Sequence, residues 1–254
     1  MYYYIYDSYL NHPQYNKVLT KIENKLIDLG LKGKIIKLSA FKKLKGVINE
    51  IIKQGAETIV ICGDDQIINQ TINCLENFDI CFGFIPITSS SKIARVLGIP
   101  PFETACNVLA NRIIKKIDLG KINEYYFLSQ LEIFNVNNVE CDDQYHLYFK
   151  TNQPFYIYNL SFLNFQKKIN PQDGFLEIAI SCTKIFKFIP KFVLKLFKKE
   201  NKIDSFVLVK KIKINSNKEI FLQIDYNPKI ILSPAFIKII PNKFKIIVGK
   251  ERSF

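Results

Sequence analysis

Four short stretches of this chain carry residue types whose spacing can do chemistry. The first follows an apolar run at Thr58–Cys62 and reads Gly63-Asp64-Asp65-Gln66-Ile67-Ile68-Asn69. A glycine directly after a strand lets backbone N–H groups close on the oxygens of a bound phosphate, and the same turn serves equally well to start a helix. The second stretch, Thr88-Ser89-Ser90-Ser91-Lys92, offers four hydroxyl donors and a positive charge, or caps a short helix. The third is Asn170-Pro171-Gln172-Asp173-Gly174-Phe175, in which Asp173-Gly174 is an ordinary turn pair. In the fourth, Asp225-Tyr226-Asn227, a lone carboxylate lies between two apolar runs. Ser39 follows another apolar run and reads as a helix cap or a polar contact for a ligand.

Those stretches need elements to hold them. Over the first 120 residues, short β-branched runs alternate with helical periods. Strands are predicted at Tyr2–Tyr6, Lys34–Leu38, Thr58–Cys62 and Phe82–Ile85. Helices are predicted up to Gly30, up to Gln54 before Gly55, near Ile68–Leu75, over Ser91–Leu97 and over Glu103–Lys115. This alternation implies a parallel sheet covered on both faces. After Asp118, strand-like runs at Tyr126–Val136, Tyr145–Lys150, Phe155–Phe162, Phe175–Ser181, Phe206–Ile214, Ile220–Ile224 and Phe244–Val248 are broken by Asn, Asp and Pro. The expected organisation is an α/β domain over 1–120 followed by a mostly β sandwich domain over 121–254. Lys184–Lys199 reads as a basic amphipathic helix, either lying on an anionic membrane or packing its apolar side on the β part.

Composition narrows the function classes. The chain has 254 residues, 48% of them hydrophobic and 23% charged, which is ordinary globular composition. No uncharged apolar run is long enough to span a bilayer, and the first residues do not read as a signal peptide. Six cysteines without a Cys-x-x-Cys pair and two isolated histidines argue against zinc and for reduced thiols in a cytoplasmic protein. Net charge is +13, with 21 basic and 12 acidic side chains after residue 120. Such an excess attracts phosphate-rich partners. It is also what a lysine- and isoleucine-rich composition produces without selection for binding.

Taken together and in order, the stretches resemble the diacylglycerol kinase catalytic family, which includes bacterial lipid kinases and sphingosine kinases. That family has a strand ending in GGDGT before L-N-E, and Gly63, Asp65 and Asn69 match it, with Asp64, Gln66 and Ile67 departing. Its next loop, P-x-G-T-x-N-D-F-A-R-x-L-G-I-P, is matched by Pro86 and then closely from Ala94-Arg95 to Leu97-Gly98-Ile99-Pro100. The resemblance implies an N-terminal fold of the NAD kinase and diacylglycerol kinase kind. It implies ATP at Ser39, Gly63–Ile67, Asn69 and Thr88–Ser91, and Mg2+ at Asn170, Asp173 and the carbonyl of Phe175. Asp225 takes the place of the general base that accepts the proton of a lipid hydroxyl. The implied activity is ATP- and Mg-dependent phosphorylation of a membrane lipid of the diacylglycerol type. The alternative is a catalytically impaired relative that binds lipid or nucleotide as a regulator. Implied partners are a nucleotide and a membrane lipid or anionic membrane surface at the inner face. A homodimer is left open, and no nucleic acid is expected. On this resemblance, Asp173→Ala or Asp225→Ala removes phosphotransfer with the fold intact.

Overall fold

The computed structural model describes residues 1–39, 43–75, 79–149, 154–160, 169–181 and 203–254. The Lys184–Lys199 segment lies outside the described residues. The chain opens with β1 (Tyr2–Tyr6), α1 (Asn16–Asp28), β2 (Gly33–Lys37), α2 (Leu44–Lys53) and β3 (Thr58–Gly63). It continues through α3 (Asp65–Cys74), β4 (Cys81–Pro86), α4 (Lys92–Val96) and α5 (Ala105–Asn111). The strands pair in parallel in the order β2-β1-β3-β4. Every residue of β3 and β4 is buried, as strands covered on both faces require. α1 buries Leu19, Ile22 and Leu26, and α2 buries Val47, Ile48 and Ile51, so each helix presents one apolar stripe to the sheet.

The rest of the chain is strands: β5 (Ile114–Ile122), β6 (Tyr125–Phe127), β7 (Gln130–Ile133), β8 (Asn138–Cys141), β9 (Tyr145–Tyr148) and β10 (Phe155–Tyr158). These are followed by β11 (Leu176–Ser181), β12 (Ile203–Val209), β13 (Lys211–Ile214), β14 (Ile220–Ile224), β15 (Asn227–Ile231) and β16 (Ala235–Ile247). Six of them form an antiparallel sheet in the order β12-β11-β10-β7-β14-β15. The fold is thus mixed α/β, parallel first and antiparallel after. β16 joins the two parts. One of its edges pairs with β5, and the other is shared by β13 and, at Ile246 against Phe82, by β4. Phe244, Ile246, Ile247 and Val248 accordingly bury in the same core as β1, β3 and β4. A second core lies among Leu131, Ile133, Ile157, Ile178, Leu222 and Ile237.

Several boundaries differ from the sequence pattern. The helix expected over Glu103–Lys115 stops at Asn111, because Arg112 turns left-handed at φ 49° and β5 begins at Ile114. Tyr126–Val136 is two strands, broken where the backbone turns at Leu128 and Ser129. Phe206–Ile214 is also two strands, and they lie in different sheets. There, Asp142 Oδ1 accepts from the amides of Lys210 and Lys211 at 2.8 and 2.7 Å and fixes the crossing. Cys62, Cys81, Cys106 and Cys141 are buried free thiols. Burial pushes the thiols of Cys106 and Cys141 up to about 11. Among the described residues no helix is long and apolar enough to cross a membrane.

The β5–β6 pairing leaves no room for a side chain at Gly120, which lies opposite Phe127. A Cβ there would lie 1.9 Å from Phe127 Cζ, and Phe127 is fully buried and cannot swing away. Gly120→Ala is expected to destabilise the protein by about 1–3 kcal/mol or more through overpacking. Thermal unfolding followed by circular dichroism checks this, and an unchanged midpoint would refute it.

Candidate functional site

Parallel pairing brings the carboxyl ends of four strands to one edge. Tyr6 is level with both Lys37 and Cys62, and Gly63 is level with Pro86. Ser39, Asp7, the Gly63–Asp65 turn and the Thr88–Ser91 loop therefore lie together at the place where open α/β sheets bind ligands. Ser39 is exposed there. Thr88 and Ser90 share a hydroxyl–hydroxyl hydrogen bond at 3.1 Å. A cleft of about 180 Å³ beneath this loop is lined by Thr88, Ser89, Ser91 and Arg95 among others.

The acidic residues of this edge are already engaged. Asp64 caps α3, its Oδ1 accepting from the amides of Gln66 at 2.9 Å and Ile67 at 3.3 Å. Asp65 reaches across to the next helix. Its Oδ2 accepts from the amides of Lys92 at 2.8 Å and Ile93 at 3.3 Å, and its Oδ1 from the Ser91 hydroxyl. Ser91 Oγ in turn accepts from the Ala94 amide at 3.0 Å. The N–H groups at the starts of two helices, the natural donors to a phosphate, thus point at side chains of the protein itself. Gln66 and Ile67 contribute backbone to this arrangement, and the Ile67 side chain is buried. Asn69 is buried one turn further on, with no donor to its Oδ1 among the described residues.

Asp7 is a member of this site that motif reading missed. It lies beside Gly63, its Cβ 3.2 Å from where a Cβ on that glycine would stand. Burial raises its carboxyl above the usual range, the Ser8 amide and hydroxyl oppose this, and the nearby Asp64 charge adds to it. The signal was available only in the register, since Asp7 directly follows β1, β1 pairs with β3, and the Asp7 amide donates to Cys62 O.

Asp225 is placed across the cleft but turned inward. It and Tyr226 form the two-residue turn between β14 and β15, with φ of 46° and 69°. Its Oδ1 accepts from Ser129 N at 2.8 Å, Ser129 Oγ at 2.6 Å and Gln130 N at 2.9 Å, and its Oδ2 from Leu128 N at 2.7 Å. The residue is 3% exposed. Burial raises its carboxyl, and the four donors work against that rise. Tyr226, next along, receives the Lys92 ammonium over its ring at 4.5 Å and so links the turn to the start of α4.

The Asn170–Phe175 segment is docked elsewhere. Pro171 O accepts from Asp118 N at 2.7 Å, and Gln172 Nε2 donates to Lys116 O at 2.8 Å. Asp118 is buried, and its two oxygens accept from Gly174 N and Asn242 N at 2.8 and 2.7 Å. Asn242 precedes Ile246, which pairs near the amino end of β4, so this turn lies away from the loops at the carboxyl end. Asn170 Oδ1 accepts from Gln172 N, and Asp173 Oδ1 from Phe175 N. Asp173 Oδ2 is left as the only carboxylate oxygen of the turn without a described donor, and the Lys210 ammonium stands over the Phe175 ring at 4.9 Å. Among the described residues no group of three His, Cys, Asp or Glu side chains could hold a metal ion.

Residues 2–122 match the family model described as Diacylglycerol kinase catalytic domain. A diacylglycerol kinase of Bacillus subtilis (strain 168) is 32% identical over 77 residues, a stretch covering 29% of this chain and 25% of that protein. The match therefore spans about a quarter of that relative's length. Among solved structures, a diacylglycerol kinase from Bacillus anthracis str. Sterne superposes with a TM-score of 0.78 at 17% identity, over 99% of this chain and 97% of that one. An NAD kinase from Archaeoglobus fulgidus in complex with ATP gives a TM-score of 0.64 at 11% identity, over 99% and 95%. At these identities the structural likeness shows a shared fold.

Proposed function

We propose, from the match of residues 2–122 to the diacylglycerol kinase catalytic domain model, that this protein transfers the terminal phosphoryl group of ATP to a hydroxyl of a membrane lipid of the diacylglycerol type. The observation that carries this reading is the Asp65 clamp. It ties the Gly63 turn to the Ser91–Ile93 segment at the carboxyl edge of the parallel sheet, with the Asp225 turn opposite.

Phosphoryl transfer is mostly positioning and charge neutralisation. The hydroxyls of Thr88, Ser89 and Ser90 and the Lys92 ammonium are the donors this edge offers to a triphosphate, with Thr88 and Ser90 bonded to each other and Lys92 to Tyr226. A magnesium ion, when bound, would be held mainly by the nucleotide phosphates and would neutralise their charge, so the protein would need to supply few ligands. The lipid hydroxyl delivers its proton to Asp225 at Oδ2, the oxygen with one donor, while Oδ1 stays with its three. The protein then works peripherally at the cytoplasmic face of a membrane.

A second reading is a catalytically impaired relative that binds nucleotide or lipid and regulates a partner. It is favoured by the self-capping of both helix starts by Asp64 and Asp65 and by the enclosure of Asp225. Calorimetric titration with ATP, with and without magnesium, followed by a lipid phosphorylation assay, separates the two. Magnesium-dependent binding with phospholipid product is expected from the first reading, and binding without product from the second. No binding at several millimolar ATP would remove nucleotide from both.

A further inference from the structure

The Lys92 side chain leaves the start of α4 and crosses to the turn opposite. Its ammonium stands 4.5 Å from the centre of the Tyr226 ring and donates to the Tyr226 hydroxyl at 3.4 Å. That hydroxyl donates in turn to Gln130 Oε1 at 3.4 Å, and the Gln130 amide donates to Asp225 Oδ1 at 2.9 Å. A short relay from Lys92 through Tyr226 to Gln130 thus joins the phosphate-facing edge to the residues that hold Asp225. Asp65, which accepts from the Lys92 amide, has its oxygens taken by N–H and O–H donors. Among the described residues no carboxylate lies within ion-pair distance of the Lys92 ammonium. The cation is met by a neutral ring and a neutral hydroxyl.

Tyr226 is strained where it stands. Its φ of 69° lies in the left-handed region, which a two-residue hairpin turn fills best with glycine. The turn gains nothing from the ring, which is 46% exposed. Strain of this sort is stored where a side chain has a task, and the task visible here is to receive Lys92. A contact between a cation and a ring at an exposed site favours the joined state by a factor of about two to five. A phosphate oxygen offers the same ammonium a charge-assisted bond about twice as strong as a neutral one. A triphosphate at this edge therefore takes the lysine from the tyrosine.

We propose that the Lys92–Tyr226 contact is a latch between the nucleotide edge and the Asp225 turn, opened when a bound triphosphate draws the ammonium away. Tyr226 is then a positioning residue. With the latch closed its ring is held beside the proposed proton acceptor, and with the latch open the ring is released. Release is tied to the arrival of the phosphoryl donor. The inference rests on the nucleotide reading above and adds to it a coupling between the donor side and the acceptor side.

The chain contains no tryptophan, so Tyr226→Trp places a single fluorophore under the Lys92 ammonium. Excited at the red edge of its band, where adenine does not absorb, the indole is expected to change its emission when ATP and magnesium are added. It should also become more open to acrylamide. With Lys92→Met added to Tyr226→Trp, saturating ATP should leave the emission unchanged. A second test reads stability. Lys92→Met and Tyr226→Ala, alone and together, should be coupled in Tm without ATP and additive at saturating ATP. A pair with a structural role alone would stay coupled in both. Tyr226→Ala should also tighten ATP binding about two- to fivefold, because the ammonium is no longer shared.

Unchanged emission of the Tyr226→Trp protein with ATP bound, or the same change after Lys92→Met, would each overturn the proposal. Should Tyr226→Trp not fold, the stability cycle decides the point, and coupling that persists at saturating ATP overturns it. Absence of ATP binding would remove the nucleotide reading and this inference together. The emission change without phospholipid product would sink the kinase reading alone, and product without the change would sink this inference alone.

Discussion

Asp64→Gly is expected to tighten ATP binding about ten- to hundredfold and to leave the fold in place. A carboxylate about 4 Å from a phosphate costs roughly 4 kcal/mol at an effective dielectric near 20, about a thousandfold in affinity. Asp64 is only half-buried, so water reduces that figure. The substitution also releases the amides of Gln66 and Ile67, which Asp64 Oδ1 now holds and which a phosphate could accept from instead. Stability should change little, because glycine at a helix N-cap costs only a few tenths of a kcal/mol relative to aspartate. The backbone at Asp64, φ −104° and ψ −174°, is open to glycine. Calorimetry on the two proteins under one buffer reads the effect. Unchanged or weaker binding in Asp64→Gly would mean that no phosphate approaches the start of α3, and the nucleotide would have to be placed elsewhere.

Asp225→Ala is expected to lower stability by about 3–5 kcal/mol, which is on the order of 10 °C in Tm for a chain of this size. Removing the carboxylate strands the amides of Leu128, Ser129 and Gln130 and the Ser129 hydroxyl in a buried turn. The family resemblance alone implies loss of phosphotransfer with the fold intact, and the geometry changes that expectation. Asp225→Asn separates the two roles. It keeps one oxygen for Ser129 and Gln130, so it should melt between wild type and alanine, and it cannot accept the proton. Wild-type melting of Asp225→Ala would show that the turn does not need the carboxylate. Full phosphotransfer by Asp225→Asn would show that the proton goes elsewhere.

Much of the fold was legible in the residues because local physics decides it. The fully apolar runs of β3 and β4, the 3–4 spacing of α1 and α2, and the stops at Gly30 and Gly55, both left-handed at φ 68° and 79°, each follow from neighbours in sequence. β8 and β15 escaped notice because each is a short strand at or near a sheet edge, with three of five residues exposed in β15, so no apolar run announces them. β16 reads as the strand Phe244–Val248 alone, since its first half pairs in the antiparallel part and only its end returns to the parallel core.

The candidate site divides along the same line. By itself the sequence determined that the Gly63–Asp65 turn and Thr88–Ser91 sit at the carboxyl ends of adjacent strands, because parallel β-α-β order leaves no other place for them. What those side chains do there depended on partners far away in the chain. Asp65 is held by residues 91–93, and Asp225 by amides about 95 residues earlier. A carboxylate looks the same in a sequence whether it faces a ligand or accepts from buried N–H groups. Only the tertiary structure decides between these, because the cost of leaving an amide unpaired in a dry turn is set by what packs around it.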